Sequence, residues 1–104
     1  MIQFENIEGF EWDNGNLEKN WHRHSILNTE AEQVFFNEPI IIEDERHSTT
    51  TEKRYHALGR TDNGKYLLVV FTMRKQLLRI ISARTMSHKE RKIYDEKIKT
   101  DSEI

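Results

Sequence analysis

Asp62-Asn63-Gly64-Lys65-Tyr66-Leu67-Leu68-Val69-Val70-Phe71-Thr72-Met73, followed by Arg74-Lys75-Gln76 and then Leu77 to Arg84, decides the fold of this chain. Asn63-Gly64 is its strongest turn signal, because Asn-Gly tolerates the positive φ that a two-residue hairpin loop demands. Tyr66 to Met73 is apolar at odd and even positions alike, which predicts a central strand covered on both faces. Arg74-Lys75-Gln76 then turns the chain into a second apolar strand, and turns this short join antiparallel neighbours.

Upstream of the turn, Glu52 to Arg60 alternates Glu52, Arg54 and His56 with Lys53, Tyr55 and Ala57, the period of a strand. A two-residue turn at Asn63-Gly64 sets Leu58 opposite Val69, His56 opposite Phe71 and Arg54 opposite Met73. Arg54, His56 and Arg60 then share one face. A two-residue second turn adds Ser82 and Arg84 to that face, whereas a three-residue turn brings Arg79 instead; two residues is the commoner loop. The sheet is expected to offer one basic face and one apolar face covered by helices.

The flanks complete an α+β domain. Phe4 to Asp13 reads as a short strand, after which Asp13 or Asn14 caps a helix to about His24 with Leu17, Trp21 and His24 inward. Thr29-Glu30-Ala31-Glu32 is a capping box opening a second helix, with Val34 and Phe35 inward, and Pro39 ends it. Ile40 to Ile42 is a short strand and Glu43 to Thr51 a polar loop, whose Glu43-Asp44-Glu45 run reads as solvated. Ser87 and Glu90 form a further capping box, opening a helix to about Ile98. The expected architecture is an antiparallel meander with two N-terminal helices on one face and a C-terminal helix. Residues 1–99 form the single domain and 100–104 a frayed tail.

Composition narrows the function. No apolar run approaches the roughly 20 residues that cross a bilayer, and Met1 to Glu5 does not resemble a signal peptide. Without cysteine there is no disulfide, thiolate nucleophile or cysteine-bound zinc, and a reducing cytoplasm fits. His22 and His24, two apart on a helix, point about 200° apart and make a poor metal pair, so no metal is expected. No cofactor is expected either, since glycine-rich phosphate loops, nucleophile elbows and dinucleotide fingerprints are absent. The net charge of −2 conceals an asymmetry. Residues 1–48 hold 3 Lys and Arg against 11 Asp and Glu, and residues 49–104 hold 13 against 7. The basic half either attracts phosphates or pairs with the acidic half within the fold.

Arg84 closes an apolar strand, where its planar fork can bind a phosphate or carboxylate through two hydrogen bonds. The other reading of the same residue is a pair with Glu90. The pieces Phe10-Glu11-Trp12-Asp13, Asn16, Lys19-Asn20, His24, His47-Ser48 with Glu52 and Arg54, Gly59-Arg60-Thr61, Val69 to Thr72, and Arg79 to Arg84 with Glu90-Arg91 and Tyr94 occur in order. Together they resemble the BrnT family of toxins from type II toxin–antitoxin systems. The resemblance implies a RelE-like ribonuclease fold, a cytoplasmic bacterial endoribonuclease that arrests growth, and a ribbon-helix-helix antitoxin as partner.

Metal-independent RNA cleavage needs a base for the 2′-hydroxyl proton, an acid for the leaving 5′-oxygen and cations on the phosphate. Glu52 or a neutral histidine is the candidate base, His24 or His56 the acid, and Arg54 and Arg84 the clamp. Lys19, Arg79, Arg91 and Tyr94 are the candidate substrate contacts, with His56 alongside them from the register alone. Each has a plain alternative: His24 satisfies a helix-end carbonyl, Glu52 and Arg54 form an ordinary ion pair, and Tyr94 packs the last helix on the sheet. The chain carries no DNA-reading motif, so DNA is expected only through the antitoxin. The competing function is an inactive partner-binding module acting as corepressor, and a third reading is a homodimer built through an exposed strand or the last helix.

Overall fold

A computed structural model describes residues 7–12 and 25–102. The expected helix ending near His24, with Lys19 and His24 on it, lies outside the described residues. Strand β1 (Gly9–Trp12) is followed by the short helix α1 (Asn28–Gln33), whose axis continues as one 3₁₀ turn, Val34–Phe36. Strands β2 (Ile40–Glu43), β3 (Arg54–Arg60), β4 (Tyr66–Arg74) and β5 (Leu77–Thr85) come next, then helix α2 (His88–Ser102). None of the described helices is long and apolar enough to cross a membrane.

The sheet order is β1-β5-β4-β3-β2, with β2 to β5 an antiparallel meander as expected. The sheet is nevertheless mixed, because β1 lies parallel to β5. Strand β4 is its centre, and its apolar residues are covered on both sides as their lack of alternation predicts.

The hairpin register differs by one residue from the two-residue expectation. Arg54 faces Thr72, His56 faces Val70 and Leu58 faces Leu68. Thr61 N–H donates to Lys65 O at 2.9 Å and Gly64 N–H to Thr61 O at 3.1 Å, so the loop holds three residues. Gly64 at φ 87° supplies the left-handed residue that closes such a loop. The second turn does have two residues, with Arg74 facing Leu77. A β-bulge then intervenes in β5, where Ile80 faces Phe71, Ser82 faces Val70 and Ile81 has no opposite number. Both alternatives for the basic face therefore hold together, since Arg84 faces Leu68 and Arg79 faces Thr72 on the same side of β4.

One face of the sheet carries the main core, in which Phe71, Leu67, Val69, Leu78, Ile80 and Ala57 pack on Ile26, Ala31, Val34 and Phe35. Phe71 meets Phe35 edge-on at 5.0 Å and stacks on Tyr55 at 5.4 Å. Gly59 lets the 3₁₀ turn approach closely, since a Cβ there would stand 2.8 Å from Val34 Cγ1. Helix α1 opens two residues earlier than a Thr29 cap implies. Glu30, not Glu32, reaches back, accepting Leu27 N–H at 2.9 Å, while Glu32 accepts Trp12 Nε1–H at 2.8 Å. Glu30 also accepts Lys65 Nζ at 3.0 Å and Asn63 Nδ2 at 3.2 Å, tying α1 to the hairpin loop.

The other face is not open throughout. Tyr94 of α2 is 4% exposed and packs on Leu58 and Leu68, so the C-terminal helix covers part of the face expected to be basic. The Ser87 cap of α2 forms as expected: Glu90 N–H donates to Ser87 Oγ at 3.2 Å and Ser87 N–H to Glu90 Oε1 at 2.8 Å. The helix runs to Ser102 rather than ending near Ile98.

Candidate active site

Strand alternation puts Arg54, His56, Leu58 and Arg60 on the α2 side of β3. Arg54 is anchored through its backbone: its N–H donates to Ser48 Oγ at 2.9 Å and its carbonyl accepts Asp44 N–H at 2.7 Å. The loop after β2 is thereby folded back. Ser48 Oγ–H donates to Asp44 O at 2.7 Å, and Thr49 and Glu52 bond through Thr49 N–H to Glu52 O at 2.7 Å.

Asp44 is the unexpected member. The acidic run that reads as solvated holds one carboxylate with a side chain only 12% exposed, and its Oδ2 lies 2.8 Å from His47 Nδ1 and 3.1 Å from His56 Nε2. Burial alone would raise its pKa, but hydrogen bonds from the His47 ring and backbone N–H outweigh it, holding the carboxyl below the usual range. The signal was present as Asp44-x-x-His47, a spacing at which an aspartate accepts its own turn's N–H. It became legible only with β2 in register, where Ile42 faces His56 and the chain leaves the sheet at Asp44.

The cations divide into open and occupied. The guanidinium of Arg54 makes no hydrogen bond or ion pair with any described residue, and Glu52 instead reaches Arg74 at 3.4 Å. Arg84 is closed on Glu90 by two parallel bonds of 2.8 and 2.7 Å, with a third to Thr85 O at 3.0 Å. Of the two readings of that fork, the structure holds the carboxylate pair. Arg79 pairs with Glu11 of β1 at 2.7 Å. The Arg91 guanidinium lies 3.3 Å from the centre of the Tyr66 ring and its Nε bonds both oxygens of Asp95 at 3.2 Å. Tyr94, edge-on to Tyr66 at 5.9 Å, takes the packing role.

A groove of about 270 Å³ runs from Ile42 and His56 over Leu58 to Ser87, Lys89 and Glu90 at the α2 terminus. A larger, wide-open depression of about 570 Å³ lies between Phe36, Asn37, Arg60 and Asp62, and no histidine is among the described residues that line it. The smaller groove is the candidate site, because it is lined by an imidazole, the side chain that most often serves in acid–base chemistry. Among the described residues no cluster of three or more histidines and carboxylates is arranged to hold a metal.

The Arg84–Glu90 pair carries a pH dependence with a definite sign. Hydrogen bonds from Arg84 lower the pKa of Glu90 beyond the opposing effect of burial, so the folded carboxyl titrates below its unfolded counterpart. Its contribution is complete above the unfolded value of about 4.3 and disappears as the pH falls through the folded value. Arg84 is partly open to solvent, so the contribution is expected to be no more than about 1 kcal/mol. Urea unfolding between pH 6 and 3 should show the loss, and Glu90→Gln should flatten that part of the curve.

A family model described as "Ribonuclease toxin, BrnT, of type II toxin-antitoxin system" matches residues 12–90. This chain belongs to the BrnT family. The crystal structure of the Brucella abortus ribonuclease toxin, BrnT, superimposes with a TM-score of 0.55 at 18% identity, over 77% of this chain and 97% of that one. At that identity the likeness establishes a shared fold. A search of the curated proteins gave no match. The BrnT match spans Asp44, His47, Arg54, His56, Arg79 and Arg84 and stops at Glu90, the third residue of α2. Arg91 and Tyr94 lie beyond it.

Proposed function

We propose that this BrnT-family chain is a growth-arresting endoribonuclease that cuts RNA without a metal ion, on a RelE-like fold. The observation that carries the reading is Arg54, whose guanidinium pairs with no described residue and which lies two residues along the strand from His56 on the same face. A phosphate meeting it finds a bidentate donor that no described carboxylate occupies, with an imidazole on the same face of the strand.

In the reaction the 2′-oxygen attacks the adjacent phosphorus, a base removing its proton, while the bond to the 5′-oxygen breaks and an acid protonates that leaving group. Arg54 stabilises the charge that builds on the phosphoryl oxygens, and Arg84 joins it when Glu90 releases the fork. Glu52 and His56, together with His24, are the proton-transfer candidates. Lys19, Arg79 and Arg91 complete the substrate contacts, while Tyr94, buried against Leu58 and Leu68, keeps its packing role.

The partner is a ribbon-helix-helix antitoxin that covers the basic face and supplies all DNA binding. Both proteins act in the cytoplasm. One observation favours the alternative, an inactive partner-binding module acting as corepressor: Arg84 is already filled by Glu90. Expression decides between them. The chain induced alone should arrest growth, and the purified chain should cut single-stranded RNA in EDTA. RNA that survives excess protein in both EDTA and magnesium, with unimpaired growth, would leave the corepressor.

A further inference from the structure

The two oxygens of Asp44 do different work. Oδ1 lies 3.3 Å from His47 N–H, an ordinary turn contact, and the loop is further tied by Asp44 N–H to Arg54 O and by Ser48 Oγ–H to Asp44 O. Nothing in that backbone scheme calls for Oδ2. That oxygen is given wholly to two imidazoles, His47 at 2.8 Å and His56 at 3.1 Å, contributed by the loop and by β3. A carboxylate only accepts, so it fixes His47 as the Nδ1–H and His56 as the Nε2–H form. The nitrogens left for exchange are His47 Nε2 and His56 Nδ1. Both rings reach solvent, His47 more than His56, and His56 lines the groove that runs to Lys89 and Glu90. Arg54 shares the His56 face of β3.

Resting on the ribonuclease reading, we infer that Asp44 is a positioning residue and that His47 and His56, held on its one oxygen, are the acid–base pair for RNA cleavage. The neutral ring takes the 2′-hydroxyl proton as the 2′-oxygen bonds to phosphorus. The imidazolium gives its proton to the 5′-oxygen as that bond breaks, and the products are a 2′,3′-cyclic phosphate and a free 5′-hydroxyl. One proton enters the pair and one leaves it, so no co-reactant is needed. Asp44 holds each ring by the same nitrogen throughout, which leaves His47 Nε2 and His56 Nδ1 to exchange the protons. Arg54 shares the His56 face of β3, and Lys89 and Glu90 line the groove together with His56, Glu90 being paired with Arg84.

The experiment compares the full chain with Asp44→Asn and Asp44→Glu. Imidazole nitrogen NMR reads the bridge without reference to activity: the full chain should show His47 as the Nδ1–H and His56 as the Nε2–H form, Asp44→Asn should release both preferences, and Asp44→Glu should restore part of them. Histidine signals that do not respond to Asp44→Asn would overturn the proposal. RNA cleavage reads the role. The full chain should leave cyclic phosphate ends, and Asp44→Asn should lower kcat on the order of 10²-fold or more with KM little changed. If the full chain cuts RNA and Asp44→Asn cuts equally well, the positioning role fails while the ribonuclease reading stands. If the histidine signals respond but the full chain cuts no RNA, the ribonuclease reading fails, and Asp44 is reduced to a structural bridge.

Discussion

Arg54→Ala is expected to lower the rate of RNA cleavage by about 10²- to 10³-fold, the usual cost of removing one pre-aimed donor from a developing oxyanion, and to relieve growth arrest. Fold stability should barely change. The backbone of Arg54 supplies the bonds to Ser48 and Asp44, and these survive truncation of the side chain, while its guanidinium is bonded to no described residue. The comparison with Arg84→Ala makes the test sharp. That variant removes two short bonds to Glu90 and one to Thr85, so it loosens the start of α2 as well as any phosphate contact. Circular dichroism melts and single-turnover cleavage of a labelled RNA, run on both variants, separate the effects. An Arg54→Ala protein that melts normally and cuts at the unmodified rate would remove Arg54 from the site.

Phe71→Ala is expected to have the largest effect on stability, about 3–5 kcal/mol. Phe71 is fully buried at the middle of the central strand, and its ring touches Phe35 from the helical layer and Tyr55 from the neighbouring strand. Deleting it opens a void between two layers that short elements such as α1 cannot close. At roughly 4–8 °C per kcal/mol for a domain of this size, the melting temperature should fall by tens of degrees. Calorimetry checks it, and a fall of only a few degrees would show that the α1 layer can collapse onto the sheet.

The meander was legible because its signals are local. Asn63-Gly64, the unbroken apolar run of β4 and the Ser87–Glu90 cap each act within a few residues, and each is found where it was expected. Register was legible only to within one residue, since Gly64 serves equally as the second residue of a two-residue loop or the last of a three-residue one. The parallel pairing of β1 with β5 was hidden because it joins Gly9 to Leu77, and no nearby residue announces a contact so distant in sequence. Arg84 shows the same limit in the site. Its fork suits phosphate and carboxylate alike, and only the geometry of the α2 cap shows that Glu90 fills it. Asp44 was obscured by Glu43 and Glu45, two acids that are indistinguishable from it by composition.

Ile81 gives the cationic face an unusual origin. Arg79 and Arg84 are five residues apart, an odd interval that in a straight strand would send them to opposite sides of the sheet. The supernumerary residue between them shifts the phase of β5 by one, and the two arginines come into step. Their common orientation is thus encoded by neither arginine but by an insertion whose own side chain has no counterpart on β4. A relative that keeps both arginines at a shorter, even interval can dispense with the bulge. One that loses a residue here while keeping the strand straight on either side must move other residues of β5 across the sheet to compensate.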